Sequence, residues 1–232
     1  DAAYDMKEIL SNISYRKKIP LTNISKLRNK RVLVTGGAGF IGSEVVRQLH
    51  RLGAKIIVFD NYSSGRKRYI NKIPNLVQVR GSVTNPSKVN DVVSKSDYII
   101  NLASLPFIPD SFYYPGEFFR INAEGSINVA MAAIRSKRVK GFVHISTSEV
   151  YAGTLKSYGL KFPTPENTKL TVSDLSSDRT SYMLSKICGE LMCNLNKNLK
   201  HVNIRPHNFY GPRMGFSHVI PELMKKIYLS KN

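Results

Sequence analysis

Tyr182-Met183-Leu184-Ser185-Lys186 places a phenol and an amine four residues apart. On a helix that spacing puts both groups on one face, where they can line a single cleft. A tyrosine titrates near pH 10, so using its phenolate as a base at neutral pH requires a drop of about three units, equivalent to about 4 kcal/mol. A lysine ammonium and a cationic ring beside the phenol are groups that supply such stabilisation. Tyr182 and Lys186 are therefore candidate catalytic residues for moving a proton to and from a hydroxyl.

A second polar group, Ser146-Thr147-Ser148-Glu149-Val150-Tyr151, follows the apolar run Gly141-Phe142-Val143-His144-Ile145. Hydroxyls and a carboxylate at the end of a buried strand are costly unless they are solvated or used. The carboxyl edge of a parallel sheet is where ligands bind in such folds. Thr147, Ser148 and Glu149 are candidate catalytic residues on that ground. The plainer alternative is that they cap the next segment.

The turn Thr35-Gly36-Gly37-Ala38-Gly39-Phe40-Ile41-Gly42 follows a strand-like run, opens a helical pattern and precedes Asp60 by the spacing of a dinucleotide-binding fingerprint. Gly36 permits the tight turn, Gly39 lets the backbone approach a pyrophosphate at the helix N-terminus, and Gly42 allows close helix–strand packing. The Asp60 carboxylate can accept both hydroxyls of an adenosine ribose and would repel a 2′-phosphate, which favours NAD over NADP. Arg66 and Lys67 lie close enough in sequence to keep NADP open.

The elements that would position these groups alternate. Strand-like runs fall at 31–35, 55–60, 76–80, 97–102, 141–147 and 202–205, with amphipathic stretches at 40–52, 88–94, 117–136, 181–196 and 217–229. Near-continuous Val, Ile and Leu in the strands means a sheet covered on both faces. The expected fold is α/β, a doubly wound (Rossmann) parallel sheet. Residues 1–30 read as an N-terminal extension with a short helix at 6–12, 31–206 as the NAD-binding domain, and 207–232 as the start of a small, incomplete C-terminal substrate-binding region.

The chain has 232 residues, 42% of them hydrophobic, enough for a sizeable core. It shows no apolar run of membrane-span length and no charged-then-apolar leader, so a cytoplasmic protein without membrane contact is expected. Cys188 and Cys193 have a spacing suited neither to a tetrahedral metal site nor to a structural disulfide, and both are expected to be buried helix residues with no metal bound. Thirty-five Lys and Arg against 16 Asp and Glu give a formal charge of +19. A phosphorylated small molecule or nucleic acid would be drawn to such a surface, unless the charge is only spread along the chain.

Taken together, TGGAGFIG, DNYSSG, NLAS, STSEVY, YMLSK and RPHNFYGPRM, running from about residue 31 onward, resemble the extended short-chain dehydrogenase/reductases, in particular the NAD-dependent epimerase/dehydratase group that acts on nucleotide sugars. Within it, DNYSSGRKR, LAS, STSEVY, ELMC and GPRM resemble the UDP-glucuronate decarboxylases. The resemblance implies cofactor contacts at Gly36, Gly39, Phe40 and Ile41, at Asp60, Asn61, Ser63, Ser64 and Gly65, and at Ser82, Val83, Leu102, Ala103 and Ser104. It adds Tyr182, Lys186, which would hold the nicotinamide ribose, and Pro206, beside the nicotinamide amide.

It further implies that Thr147 bonds the sugar 4-hydroxyl and assists Tyr182, that Ser148 and Glu149 lie beside sugar C5 and C6, and that Asn208 lies near the sugar diphosphate. Arg213 would meet a phosphate or be a surface arginine. The implied partners are a nucleotide-sugar substrate and a second copy, in a homodimer built from the helix after Pro115 and the helix bearing Tyr182. The implied reaction is C4 oxidation, loss of the C6 carboxylate and re-reduction; alternatives are a 4,6-dehydratase, a 4-epimerase or, in another class, a non-catalytic RNA-binding protein. The intact YMLSK and STSE, and the lack of an aromatic-interleaved basic stripe, speak against nucleic acid. The chain departs from the family pattern at Ser82, where Asp is usual, at Asn101, where His is usual, at Ala152, where Gly is expected, and at His207, where the decarboxylases carry Phe.

Overall fold

The structure is a computed structural model and describes residues 27–215 and 218–230. β1 (Arg31–Thr35) and β2 (Lys55–Asp60) bury every residue but the first, as strands covered on both faces require. Between them α1 (Phe40–Arg51) turns Gly42, Ser43, Val46 and Leu49 inward at helical spacing. β3 (Val77–Arg80), α2 (Pro86–Ser94) and β4 (Tyr98–Asn101) follow. The Asn85 side chain caps α2 by accepting the Lys88 N–H, and a proline occupies its first turn, where no N–H is needed.

Next come α3 (Ile108–Tyr113), α4 (Pro115–Phe118), a π-helical stretch (Phe119–Glu124) and α5 (Gly125–Arg135). β5 (Gly141–Ile145) leads through a 3₁₀ turn (Ser148–Tyr151) into α6 (Ala152–Tyr158), and α7 (Arg179–Leu195), β6 (His201–Ile204) and α8 (Val219–Leu229) complete the described elements. The six strands are all parallel in the order β3-β2-β1-β4-β5-β6. The order reverses between β1 and β4, which opens a crevice at their carboxyl ends. Leu33, Phe59, Ile99 and Phe142 pack on one face with Val129 and Ala133, and Val32, Val34, Ile56 and Val58 pack on the other with Val46 and Leu49. This is the doubly wound parallel sheet that the sequence pattern implies.

Three differences from the sequence reading concern the site. The strands expected to reach 102 and 147 stop at Asn101 and Ile145, because the next residues turn into the crevice: the Thr35 hydroxyl accepts the N–H groups of both Leu102 and Ala103 at 3.1 Å. The helix expected at 117–136 is broken by the π-helical stretch, which sets Asn122 so that its amide bridges the N–H and C=O of Leu105 at 2.7 and 3.1 Å. Such widened turns concentrate at functional sites. α3 and α6 were not expected; Pro109, Asp110 and the Gly153-bearing stretch read as loop. The helix expected at 6–12 lies outside the described residues.

Candidate active site

At the glycine turn, Gly36 adopts φ +65°, the left-handed region that favours glycine, and a Cβ there would sit 2.9 Å from Ala103 Cα. A Cβ on Gly42 would run into the Gly36 carbonyl oxygen. α1 then begins at Phe40 and Ile41 behind Gly39, with no side-chain cap and no acidic residue in its first turn. Its leading N–H groups and the positive end of its dipole are therefore directed at an anion rather than at a side chain.

Asp60 is 7% exposed and braces this edge: one oxygen accepts the Ala38 N–H at 2.9 Å and the other the Tyr62 N–H at 2.7 Å. Asn61 folds over the Ser63 N–H at 3.0 Å, Ser64 is exposed, and Gly65 abuts Ala38, whose carbonyl accepts the Arg66 N–H at 2.9 Å. Ser82 pairs with the Thr84 hydroxyl at 2.7 Å. The Val83 side chain is buried in the core, so only its backbone can border a ligand. Ser104 reaches the Leu102 carbonyl at 3.5 Å, beside Ala103. A narrow cradle with no room for Cβ atoms, an uncapped helix start and a carboxylate at the β2 end fit a dinucleotide such as NAD.

Across the crevice, α7 carries Tyr182 and Lys186 one turn apart, both buried. Lys186 is 4% exposed; its ammonium donates to the Ile145 carbonyl at 2.7 Å, and burial lowers its pKa to about 8. Thr147 caps the 3₁₀ turn by accepting the Glu149 N–H at 3.2 Å, a role compatible with facing the crevice. Its hydroxyl also lies beside the Tyr182 phenol and pulls that pKa down. The phenol nonetheless lies above its ordinary value, because burial outweighs Thr147 and the nearby Glu149 charge adds to the rise. Lys186, tied to the sheet through Ile145, is not among the groups that lower the phenol, so the drop expected from lysine and nicotinamide together is left to the nicotinamide.

Thr147, Glu149, Tyr182 and Lys186 thus converge, and the Ser148 N–H donates to the Pro206 carbonyl at 2.9 Å, bringing β6's end to the same place. Two participants were missed from sequence. Arg179 grips Glu149 with two bonds, Nη2 to Oε1 at 2.8 Å and Nε to Oε2 at 3.3 Å. Asn122, fully buried, donates to the Ser185 hydroxyl at 3.3 Å, which in turn donates to the Tyr182 carbonyl at 2.7 Å. The signals were present: Arg179 precedes Tyr182 by three positions, and an asparagine inside an apolar helical pattern is a poor helix former.

Beneath the crevice Asn101 accepts from the Thr35 hydroxyl at 2.7 Å and contacts Ser126 at 3.2 Å and His144 Nδ1 at 3.4 Å. Burial lowers the His144 imidazole to about 3, so it stays neutral. In the C-terminal strip Asn208 is exposed, and Arg213, at φ +74°, pairs with Glu44 of α1 at 2.9 Å instead of reaching across the crevice. Arg205 forks onto the buried Glu190 at 2.6 and 2.9 Å and reaches the Tyr151 hydroxyl at 2.7 Å. Cys193 is buried, but Cys188 is only half-buried, and the two are free thiols. Among the described residues no group of three His, Cys, Asp or Glu side chains could hold a metal ion, and no helix is long and apolar enough to cross a membrane.

The chain is similar to a UDP-N-acetyl-alpha-D-glucosaminuronate decarboxylase of Bacillus cytotoxicus, 29% identical over 203 residues that make up 84% of this chain and 60% of that protein. It is also similar to a dTDP-glucose 4,6-dehydratase of Streptomyces niveus, 33% identical over 82% of this chain and 57% of the relative. Among solved structures, a UDP-N-acetylglucosamine 4-epimerase from Methanobrevibacter ruminantium superposes with TM-score 0.76 at 26% identity, covering 88% of this chain and 64% of that one. The chain therefore spans less than two thirds of the length of the relatives it matches. Residues 32–232 match the family described as NAD dependent epimerase/dehydratase, and the chain belongs to that family.

Proposed function

We propose that this protein takes part in NAD-dependent nucleotide-sugar modification, and specifically in a reaction of the UDP-glucuronate decarboxylase type. The observation that carries this reading is the convergence of Thr147, Tyr182 and Lys186, with Glu149 beside the phenol. Gly36, Gly39 and the start of α1 would hold the pyrophosphate, Asp60 the adenosine ribose and Lys186 the nicotinamide ribose. When bound, NAD supplies a hydride acceptor that turns the sugar C4 alcohol into a ketone and returns the hydride at the end.

Tyr182 accepts the 4-hydroxyl proton and later gives it back. Its raised pKa in the isolated site means that the positive nicotinamide ring, absent from the sequence's own charges, has to bring the phenol into range. Thr147 donates to the phenolate while it is charged. With a 4-ketone formed, a C6 carboxylate leaves as CO₂: the C5–C6 bond breaks, its electron pair is taken up by the ketone as an enolate, and C5 is then protonated. Glu149 stays beside C5 and C6 as a counter-ion, both its oxygens engaged by Arg179. That engagement favours decarboxylation over dehydration, where the carboxylate would have to act as the base at C5.

Exposed Phe119, Leu191 and Leu195 near α4 and on α7 support a homodimer through these helices. The test of the main reading is to incubate the full-length protein with NAD and UDP-glucuronate and measure CO₂. Release supports it; no release, alongside turnover of a neutral nucleotide hexose, overturns it.

A further inference from the structure

We infer that Arg179 is the specificity-determining residue of this site, selecting a sugar that carries a carboxylate over its neutral counterpart. The inference rests on the reading above, in which Glu149 lies against sugar C5 and C6. A uronate placed there would bring a second carboxylate up to the first, and the two like charges would repel. The Arg179 guanidinium is the cation against Glu149, and it meets that carboxylate through its Nε and Nη2 donors. Its Nη1 amino group has no hydrogen bond among the described residues, and the side chain is 57% exposed. A planar fork with one edge spent and one edge open can receive a second carboxylate side by side with the first.

Two further observations separate this from a routine surface pair. Arg179 opens α7, directly after Asp178 at the N-cap, at the end where the helix dipole disfavours a cation. Helix stability therefore does not explain an arginine there. It also rides the helix that carries Tyr182 one turn later, so the cation and the phenol are set at a fixed separation, while the Thr147 cap holds the Glu149 end. A neutral hexose would gain nothing from the open edge.

The experiment measures binding of UDP-glucuronate and of UDP-glucose to the NAD-loaded full-length protein by calorimetry, for the wild type and for Arg179→Ala, Arg179→Lys and the double variant Arg179→Ala with Glu149→Gln. Arg179→Ala is expected to weaken UDP-glucuronate by about tenfold or more and UDP-glucose by less than about twofold. Arg179→Lys recovers part of the loss, since it keeps the charge without the fork. The double variant binds UDP-glucuronate better than Arg179→Ala does, because the repelling carboxylate has been neutralised. If both nucleotide sugars weaken alike, or neither changes, Arg179 is a structural clamp and the inference is wrong. A wild type that binds UDP-glucuronate selectively but releases no CO₂ defeats the decarboxylase reading and leaves this one standing.

Discussion

The coenzyme edge and the strip after β6 are built on different terms. Around the glycine turn every piece is held by another: Asp60 bonds Ala38 and Ala38 bonds Arg66, both within a few tens of residues, and Thr35 bonds Leu102 and Ala103 at the end of the neighbouring strand. In α8, no residue is buried, and Leu223, Met224 and Ile227 are 51%, 66% and 58% exposed. β6 leaves Val202 57% exposed, and Tyr98, Ile100, Val143 and Val202 line an apolar hollow of about 560 Å³. The contrast shows that the cradle around the glycine turn is specified by close approaches, whereas the strip after β6 draws little order from the rest of the described chain. Changes should therefore be felt severely in the first region and weakly in the second.

The harshest test is Gly42→Val, which pushes side-chain atoms into the Gly36 carbonyl; a loss of about 3 kcal/mol or more in urea unfolding, with no measurable NAD affinity, is expected. A variant that still binds NAD tightly would break the comparison at its stronger end. At the boundary between the regions, Tyr182→Phe should reduce turnover by about 100-fold or more while leaving NAD affinity within about twofold, as steady-state kinetics and a binding titration would reveal.

A pH-dependent effect comes from beneath the cradle. Burial holds His144 at about 3, below the roughly 6.5 of the unfolded chain. As pH falls from about 6.5 towards 3 the unfolded chain takes up the proton first, so stability should drop by about 1.4 kcal/mol per pH unit within that window and not above it. His144→Leu should flatten the slope in urea melts across that range. The smallest effect is Leu223→Ser in α8, predicted to change stability by less than about 0.5 kcal/mol. A larger loss would show that α8 is held by contacts outside the described residues.

How much was legible follows the same divide. The glycine turn, Asp60 and the pair Tyr182 and Lys186 are local patterns whose geometry is fixed by spacing, and the parallel sheet follows from continuous apolar runs. What escaped depends on residues distant in sequence. Arg179 and Glu149 meet across 30 positions, Asn101 and His144 across 43, and Arg213 and Glu44 across 169. Spacing alone cannot announce such pairs. The rise that burial imposes on Tyr182 was equally hidden, since burial and the lysine's attachment to Ile145 are properties of the assembled fold.

Asn122 grips both polar atoms of the Leu105 backbone and, through Ser185, reaches the carbonyl of Tyr182 itself. The loop following β4 and α7 are thereby yoked by one amide. A displacement of that loop has either to break these bonds or to carry α7 with it.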